Sequence, residues 1–268
     1  MNQATSNPNF HFVPFRSLLR REVLRFSRVL AQTLLIPLVN STLYLLIFGV
    51  SLGSSITISE GISYLAFLIP GLMMMAILNN SFQNSSSSIS TSRFHGDLED
   101  LRVVPLSTHQ IVLALGCGGL IRGALVGLIT LSVGEIFHFF YLQRVLPISH
   151  PSCLLLFVFM GGLSFSLLGI IAAFKAKSID HLSAIGGFIL LPLMYLGGVF
   201  FSLQSLHPFW RLVSQFNPLL YFMNGMRFSF IGTSDIPLPT SILVGVLTLV
   251  LLYFLALITV RRASFSRW

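Results

Sequence analysis

The stretch CLLLFVFMGGLSFSLLGIIAAF, residues Cys153 to Phe174, carries no charged side chain in 22 positions. A helix needs about 20 mainly apolar residues to cross a hydrocarbon core about 30 Å thick, so this one reads as a span. Five further stretches read the same way: about Val29 to Leu52, Ile62 to Phe82, about Ile111 to Phe137, Leu182 to Leu203 and Thr240 to Val260. The expected fold class is an all-α integral membrane protein with six transmembrane helices. Strands of a membrane β-barrel would appear instead as roughly ten-residue alternations. The first run is too long for a signal-peptide core and lacks a small-residue cleavage pattern, so it reads as a retained helix.

Composition agrees. Of 268 residues, 54% are hydrophobic and 9% charged, against about 25% charged in ordinary soluble domains, which excludes a soluble globular protein. Lys plus Arg number 16 against 8 Asp plus Glu. Nucleic acid is the usual partner of so basic a soluble chain, but in a membrane protein positive charge collects in cytosolic loops. One side of the six spans holds Arg16, Arg20, Arg21, Arg25, Arg28, Arg93, Arg102, Lys175, Lys177, Arg261, Arg262 and Arg267. The other holds Arg144, Arg211 and Arg227. Twelve against three puts both termini in the cytosol and predicts no nucleic-acid partner. Cys117 and Cys153 lie in apolar surroundings and suggest neither a disulfide framework nor a metal cluster. Residues 1–28 read as a cytosolic segment and 29–268 as a single six-span domain.

Four pieces stand out. FRSLLRREVLRFSR, Phe15 to Arg28, gathers Phe15, Leu18, Leu19, Val23 and Phe26 on one helical arc, as an interfacial amphipathic helix does; Glu22 intrudes on that arc. The helix reads either as an anchor on anionic lipid or as a connecting helix that also touches a protein. The loop after the second span opens with a serine tract, Ser81 to Ser92, and continues as GDLEDLRVVPLSTHQ from Gly96. Asp97 suits the cap of a short helix bearing Leu98, Glu99, Asp100, Leu101 and Arg102, which Pro105 ends. Ser107 and Gln110 fit a capping box opening the next helix. A solvated surface hairpin is the alternative, against which Leu98, Leu101 and Val104 would be exposed unless something covers them.

The third span carries Gly119, Gly123 and Gly127, a row that permits close helix approach either within the chain or across a dimer. It also holds Arg122 and Glu135, costly at membrane depth. Thirteen residues separate them, about 20 Å along a helix, so they do not pair with each other. Both are candidates for the translocation path: Arg122 either snorkels to the headgroups or faces a cavity, and Glu135 belongs near the outer mouth with His138. The fourth piece, Ser205 to Gly232, is neither a clean span nor a hydrophilic loop. Pro208 and Pro218 suit first-turn positions, Asn217 breaks the run between them, and Trp210 and Tyr221 add interface-seeking rings. Two short re-entrant half-helices before the last span account for it; simple surface anchoring is the alternative. No metalloprotease, hydrolase or dinucleotide motif is present, and no G-x-x-x-x-G-K-[ST] phosphate loop.

This organisation resembles the permease subunit of type-2 ATP-binding-cassette (ABC) exporters over nearly the whole chain. GDLEDLRVVPLSTHQIVLA, Gly96 to Ala114, is similar to that family's coupling-helix region. GGVFFSLQSLHPFWRLVSQFNPLLYFMNGMR, Gly197 to Arg227, is similar to its signature before the last span, matching at Pro208, Trp210, Asn217, Pro218, Tyr221 and Arg227. The resemblance implies a multi-pass permease of the bacterial inner membrane, dimeric with a second copy or a close relative. It implies a separate ATPase subunit that binds ATP and Mg, no cofactor on this chain, coupling through Asp97 to Arg102, and an outer gate in the segment from Pro208 to Arg227. A six-span enzyme or assembly factor without an ATPase is the alternative.

Overall fold

The computed structural model describes residues 9–51, 53, 63–98 and 106–263. Ten α-helices account for most of them: α1 (Asn9–Ser27), α2 (Leu30–Tyr44), α3 (Tyr64–His95), α4 (Thr108–Leu142), α5 (Pro151–Lys175), α6 (Ile179–Ala184), α7 (Leu191–Leu196), α8 (Pro208–Gln215), α9 (Pro218–Ile231) and α10 (Leu238–Arg262). A π-helical turn, Leu45–Ser51, prolongs α2, and another, Ile185–Leu190, joins α6 to α7. Pro192 follows the second, where its missing N–H would leave a gap in a regular ladder. Six stretches are long and apolar enough to cross a membrane, and the described residues form no strand. This is the expected all-α integral membrane fold.

The bundle is built around α3, which packs against α4, α5 and α9. Close approach of α3 and α4 depends on the glycine row. A Cβ on Gly119 would stand 2.8 Å from the Ser81 carbonyl, and one on Gly123 2.8 Å from that of Ile77. Neither backbone atom has room to retreat, so the row serves packing within the chain. Gly118 does the same for α1, since its Cβ would lie 2.7 Å from that of Glu22.

The serine tract is the main departure from expectation. It is not loop but the last turns of α3, with Ser81, Ser85, Ser86, Ser88 and Ser90 buried. At about 1.5 Å per residue, 32 residues reach about 48 Å, well beyond a hydrocarbon core. Serine fits there because it is small and can bond a neighbouring helix: Ser85 Oγ donates to the Leu115 carbonyl at 3.1 Å and meets Ser166 Oγ. The polar composition reflects close packing, not solvent.

One end of the bundle gathers α1 and the ends of α3, α5 and α10 with the start of α4. There Arg93 bonds the Ala176 carbonyl, and Arg261 reaches His109. The opposite end holds the start of α3, the turn after α7, α8 and the start of α10.

Candidate functional site

A cavity of about 430 Å³ opens between α1, α2, α3 and α4. Its lining includes Gln32, Thr33, Asn40 and Tyr44 from α2, Asn79, Asn80, Gln83 and Ser87 from α3, and Arg122 and Thr130 from α4. Val29, Ile36, Leu72 and Met75 supply apolar wall. Arg122 therefore borders a cavity; its Nε is buried without a hydrogen-bond partner. Thr33 Oγ1 is in the same condition.

Arg25 also borders the cavity but is fully engaged. Its Nη2 donates to the Asn84 carbonyl at 2.7 Å and to Asn84 Oδ1 at 3.0 Å, and Nη1 donates to Ser87 Oγ at 3.2 Å. Its Nε donates to Glu22 at 3.3 Å. Glu22 is fully buried and accepts from Ser88 Oγ at 2.8 Å. Its intrusion on the apolar arc of α1 is thus an attachment: Leu18, Glu22 and Phe26 form the buried face that holds α1 to the bundle. Burying a carboxylate is tolerable only when it is paired and hydrogen-bonded, and the sequence pattern hid the partners on α3.

At its other end the cavity meets an aromatic cluster. Tyr44 and Phe48 lie 5.6 and 4.7 Å from Phe200, centroid to centroid, and the Tyr44 hydroxyl stands 3.4 Å from that of Tyr195. Tyr64 donates to the Phe200 carbonyl at 2.9 Å. This ties α2 and α3 to the turn after α7.

The segment before the last span divides into two unlike helices. Pro208 opens α8, which lies on the surface of the chain with Trp210 half-exposed. Pro218 opens α9, whose residues are mostly buried against α3, α5 and α10, as a re-entrant helix requires. Asn217 caps α9 through Leu219 N and donates to the Leu193 carbonyl at 2.7 Å. Tyr221 donates to the Gln215 carbonyl at 2.9 Å, binding α9 back to α8. Arg227, 4% exposed, lies over the Phe67 ring and donates to the carbonyls of Phe67, Gly198 and Val199. Asn217, Tyr221 and Arg227 thus join α8, α9, α3 and the segment around the turn after α7. Asn224 and Asp235, which composition did not mark, complete this joinery. Asn224 bonds Ile236 and Ser241, and Asp235 accepts from Ser202 Oγ and Leu203 N.

At the junction of α3 and α4, Gly96 ends α3 in the left-handed region and Asp97 sits exposed in the turn that follows; the short helix expected after Asp97 falls outside the described residues. Leu98 is not exposed; it is buried with Leu18, Ile89 and Ile111 of its own chain. Glu99, Asp100, Leu101, Arg102 and Val104 lie outside the described residues. The capping box is present in both bonds, Gln110 N to Ser107 Oγ and Ser107 N to Gln110 Oε1. Glu135 stands apart from the cavity and accepts from Leu146 N at 3.2 Å, holding the turn after α4 beside His138, which bonds the Arg144 carbonyl.

The family described as ABC-2 type transporter matches residues 14–231. The inner membrane transport permease YadH of Escherichia coli K12 is 35% identical over 254 residues, covering 95% of this chain and 97% of its own. Nodulation protein J of Neorhizobium galegae is 25% identical over 252 residues, 91% of each chain. The protein of that name from Rhizobium leguminosarum bv. viciae is 22% identical over 218 residues, 80% of each. Six helices able to span a membrane and these matches lead to one conclusion: the chain belongs to the ABC-2 type transporter family and is a membrane transport permease of that family.

Proposed function

We propose that this permease is the membrane-spanning half of an ATP-driven exporter of the bacterial inner membrane. Two copies pair, each joined to a separate ABC ATPase that binds ATP and Mg. Both termini, α1 and the junction of α3 and α4 face the cytosol, as the twelve-to-three basic bias favours. Residues 29–268 act as one six-span domain, with 1–28 as its cytosolic leader into the bundle. The turn at Asp97 and the acidic residues after it receive the ATPase.

One observation carries the reading. A single helix, α3, runs from the Asp97 turn to the cavity wall, where Asn79, Asn80, Gln83 and Ser87 border the cavity. Its polar last turns are gripped by α1, α4 and α5 through buried serines. A push at the turn is therefore transmitted along a stiff element to the cavity without an intervening hinge. Interiors packed this closely move as bodies.

Affinity purification of the tagged chain in mild detergent, followed by mass spectrometry, tests the proposal. An ABC ATPase is expected in near-equal amount, hydrolysing ATP. Recovery of the intact, monodisperse chain with no ATPase would remove the proposal.

A further inference from the structure

The cavity between α1, α2, α3 and α4 has a chemistry that helix packing does not explain. Polar side chains within spans are costly and tend to mark a ligand path, and Gln32 and Asn40 of α2 and Asn79 and Asn80 of α3 border this space, with Gln83 one turn further along α3. The bonds among them stay within one helix: Asn80 to the Ala76 carbonyl at 3.0 Å, Gln83 to Asn79 Oδ1 at 3.1 Å. They do not join the bundle together. Arg122 adds a buried, unpartnered Nε–H, and Thr33 a buried, unpartnered hydroxyl. Among the described residues no carboxylate borders the cavity, and Glu22, beside it, is occupied by Arg21, Arg25 and Ser88. Among the described residues Arg122 has no counter-ion within ion-pair distance.

A guanidinium is matched by oxyanions, phosphate or carboxylate, which its planar fork can grip with two bonds. Carboxamides both donate and accept, and suit the hydroxyl and amide groups of a polar head. Val29 and Ile36, which border the same space, are about half exposed on the outside of the chain. The cavity is thus continuous with the apolar surroundings of α2. A volume of about 430 Å³ suits a polar head and the first part of a chain.

We propose that this cavity binds the head of an anionic amphiphile. Its phosphate or carboxylate pairs with Arg122, its hydroxyl or amide groups meet the carboxamides, and its apolar tail leaves past Val29 and Ile36. Naming that molecule as cargo rests on the transport reading above; the binding itself does not.

The test uses the full chain purified without ATPase in nanodiscs of zwitterionic lipid. Two fluorescent probes with the same single acyl chain are titrated, a glycerol phosphate monoester and its neutral glycerol analogue, with inorganic phosphate as competitor. Wild type should favour the phosphate probe by about tenfold, the weight of one charge-assisted hydrogen bond. Arg122→Gln should abolish that preference while binding the neutral probe as wild type does, which also reports an intact fold. Arg122→Lys should keep part of it. Equal affinity of wild type for both probes, or a full preference in Arg122→Gln, would overturn the proposal. So would displacement of the phosphate probe by inorganic phosphate at equal concentration, which would mean a plain anion site. In a second arm the ATPase complex is assayed. Stimulation of hydrolysis by the phosphate probe supports the site and assigns it to cargo; Arg122-dependent binding without stimulation supports the site and assigns it to resident lipid. Failure to recover an ATPase leaves the binding arm intact, so the two readings fail separately.

Discussion

The guanidinium of Arg227 lies 3.6 Å from the centre of the Phe67 ring, linking the re-entrant helix to the start of the central helix. The same group holds three carbonyls from α3 and the turn after α7. Gly71 gives it room, since a Cβ there would stand 3.4 Å from Nη2 and 2.9 Å from the Val199 carbonyl. Arg227→Gln leaves buried acceptors unpaired and should destabilise the protein by about 1–3 kcal/mol. Arg227→Lys keeps the charge but not the fork and should fall between. Thermal unfolding in detergent measures both; a wild-type midpoint for Arg227→Gln would count against a structural role.

Glu22 is the corresponding anchor of α1. Glu22→Ala removes the acceptor of Ser88 and leaves Arg25 without its carboxylate. Loss of charge-assisted bonds at about 1.5–3 kcal/mol should loosen α1 while the six spans stay folded. Limited proteolysis should then cut within residues 9–27 at least several-fold faster, with unchanged monodispersity. An unaltered cleavage rate would show that Leu18 and Phe26 suffice.

Six spans were readable because continuous apolar runs leave one physical solution. The capping box was readable because Ser107 and Gln110 satisfy each other locally. The extent of α3 was not, because serine in water and serine between close-packed helices look alike until a partner such as Ser166 is known. Arg122 showed the same limit: snorkelling and cavity-lining share one sequence and differ only in where α2 sits. Asn217, Tyr221 and Arg227 bond to carbonyls that local spacing does not reveal, those of Leu193, Gln215, Phe67 and Val199. Leu98 was expected to await a partner and is covered by Leu18 and Ile111 instead.

Orientation is tested in a background lacking Cys117 and Cys153. Ser178 and Ser234 are exposed in turns at opposite ends of the bundle. In intact cells Ser234→Cys should react with an impermeant thiol reagent, and Ser178→Cys only after permeabilisation. Labelling of Ser178→Cys in intact cells would invert the topology.

Because Leu98 is a core residue, Leu98→Asp would damage the permease itself and says little about assembly. Asp97 is the cleaner probe, exposed and at the α3 terminus. Asp97→Lys should reduce ATPase recovery several-fold at low salt and less at high salt, since surface charge pairs are screened within about 10 Å at 0.1 M. Recovery equal to wild type at both salts would place the contact elsewhere.

The most direct measurement concerns the end of the cavity bordered by Tyr44. Tyr44 and Tyr195 meet there, hydroxyl to hydroxyl. Tyr44→Cys with Tyr195→Cys, in the background lacking native cysteines, is bridged through two disulfides by a short bis-methanethiosulfonate and assayed with the partner ATPase. If ATP binding drives this cavity open, bridging should lower hydrolysis by the complex several-fold, towards that of the ATPase alone, and reduction should restore it. Turnover unchanged by a complete bridge would contradict coupling between the cavity and an ATPase.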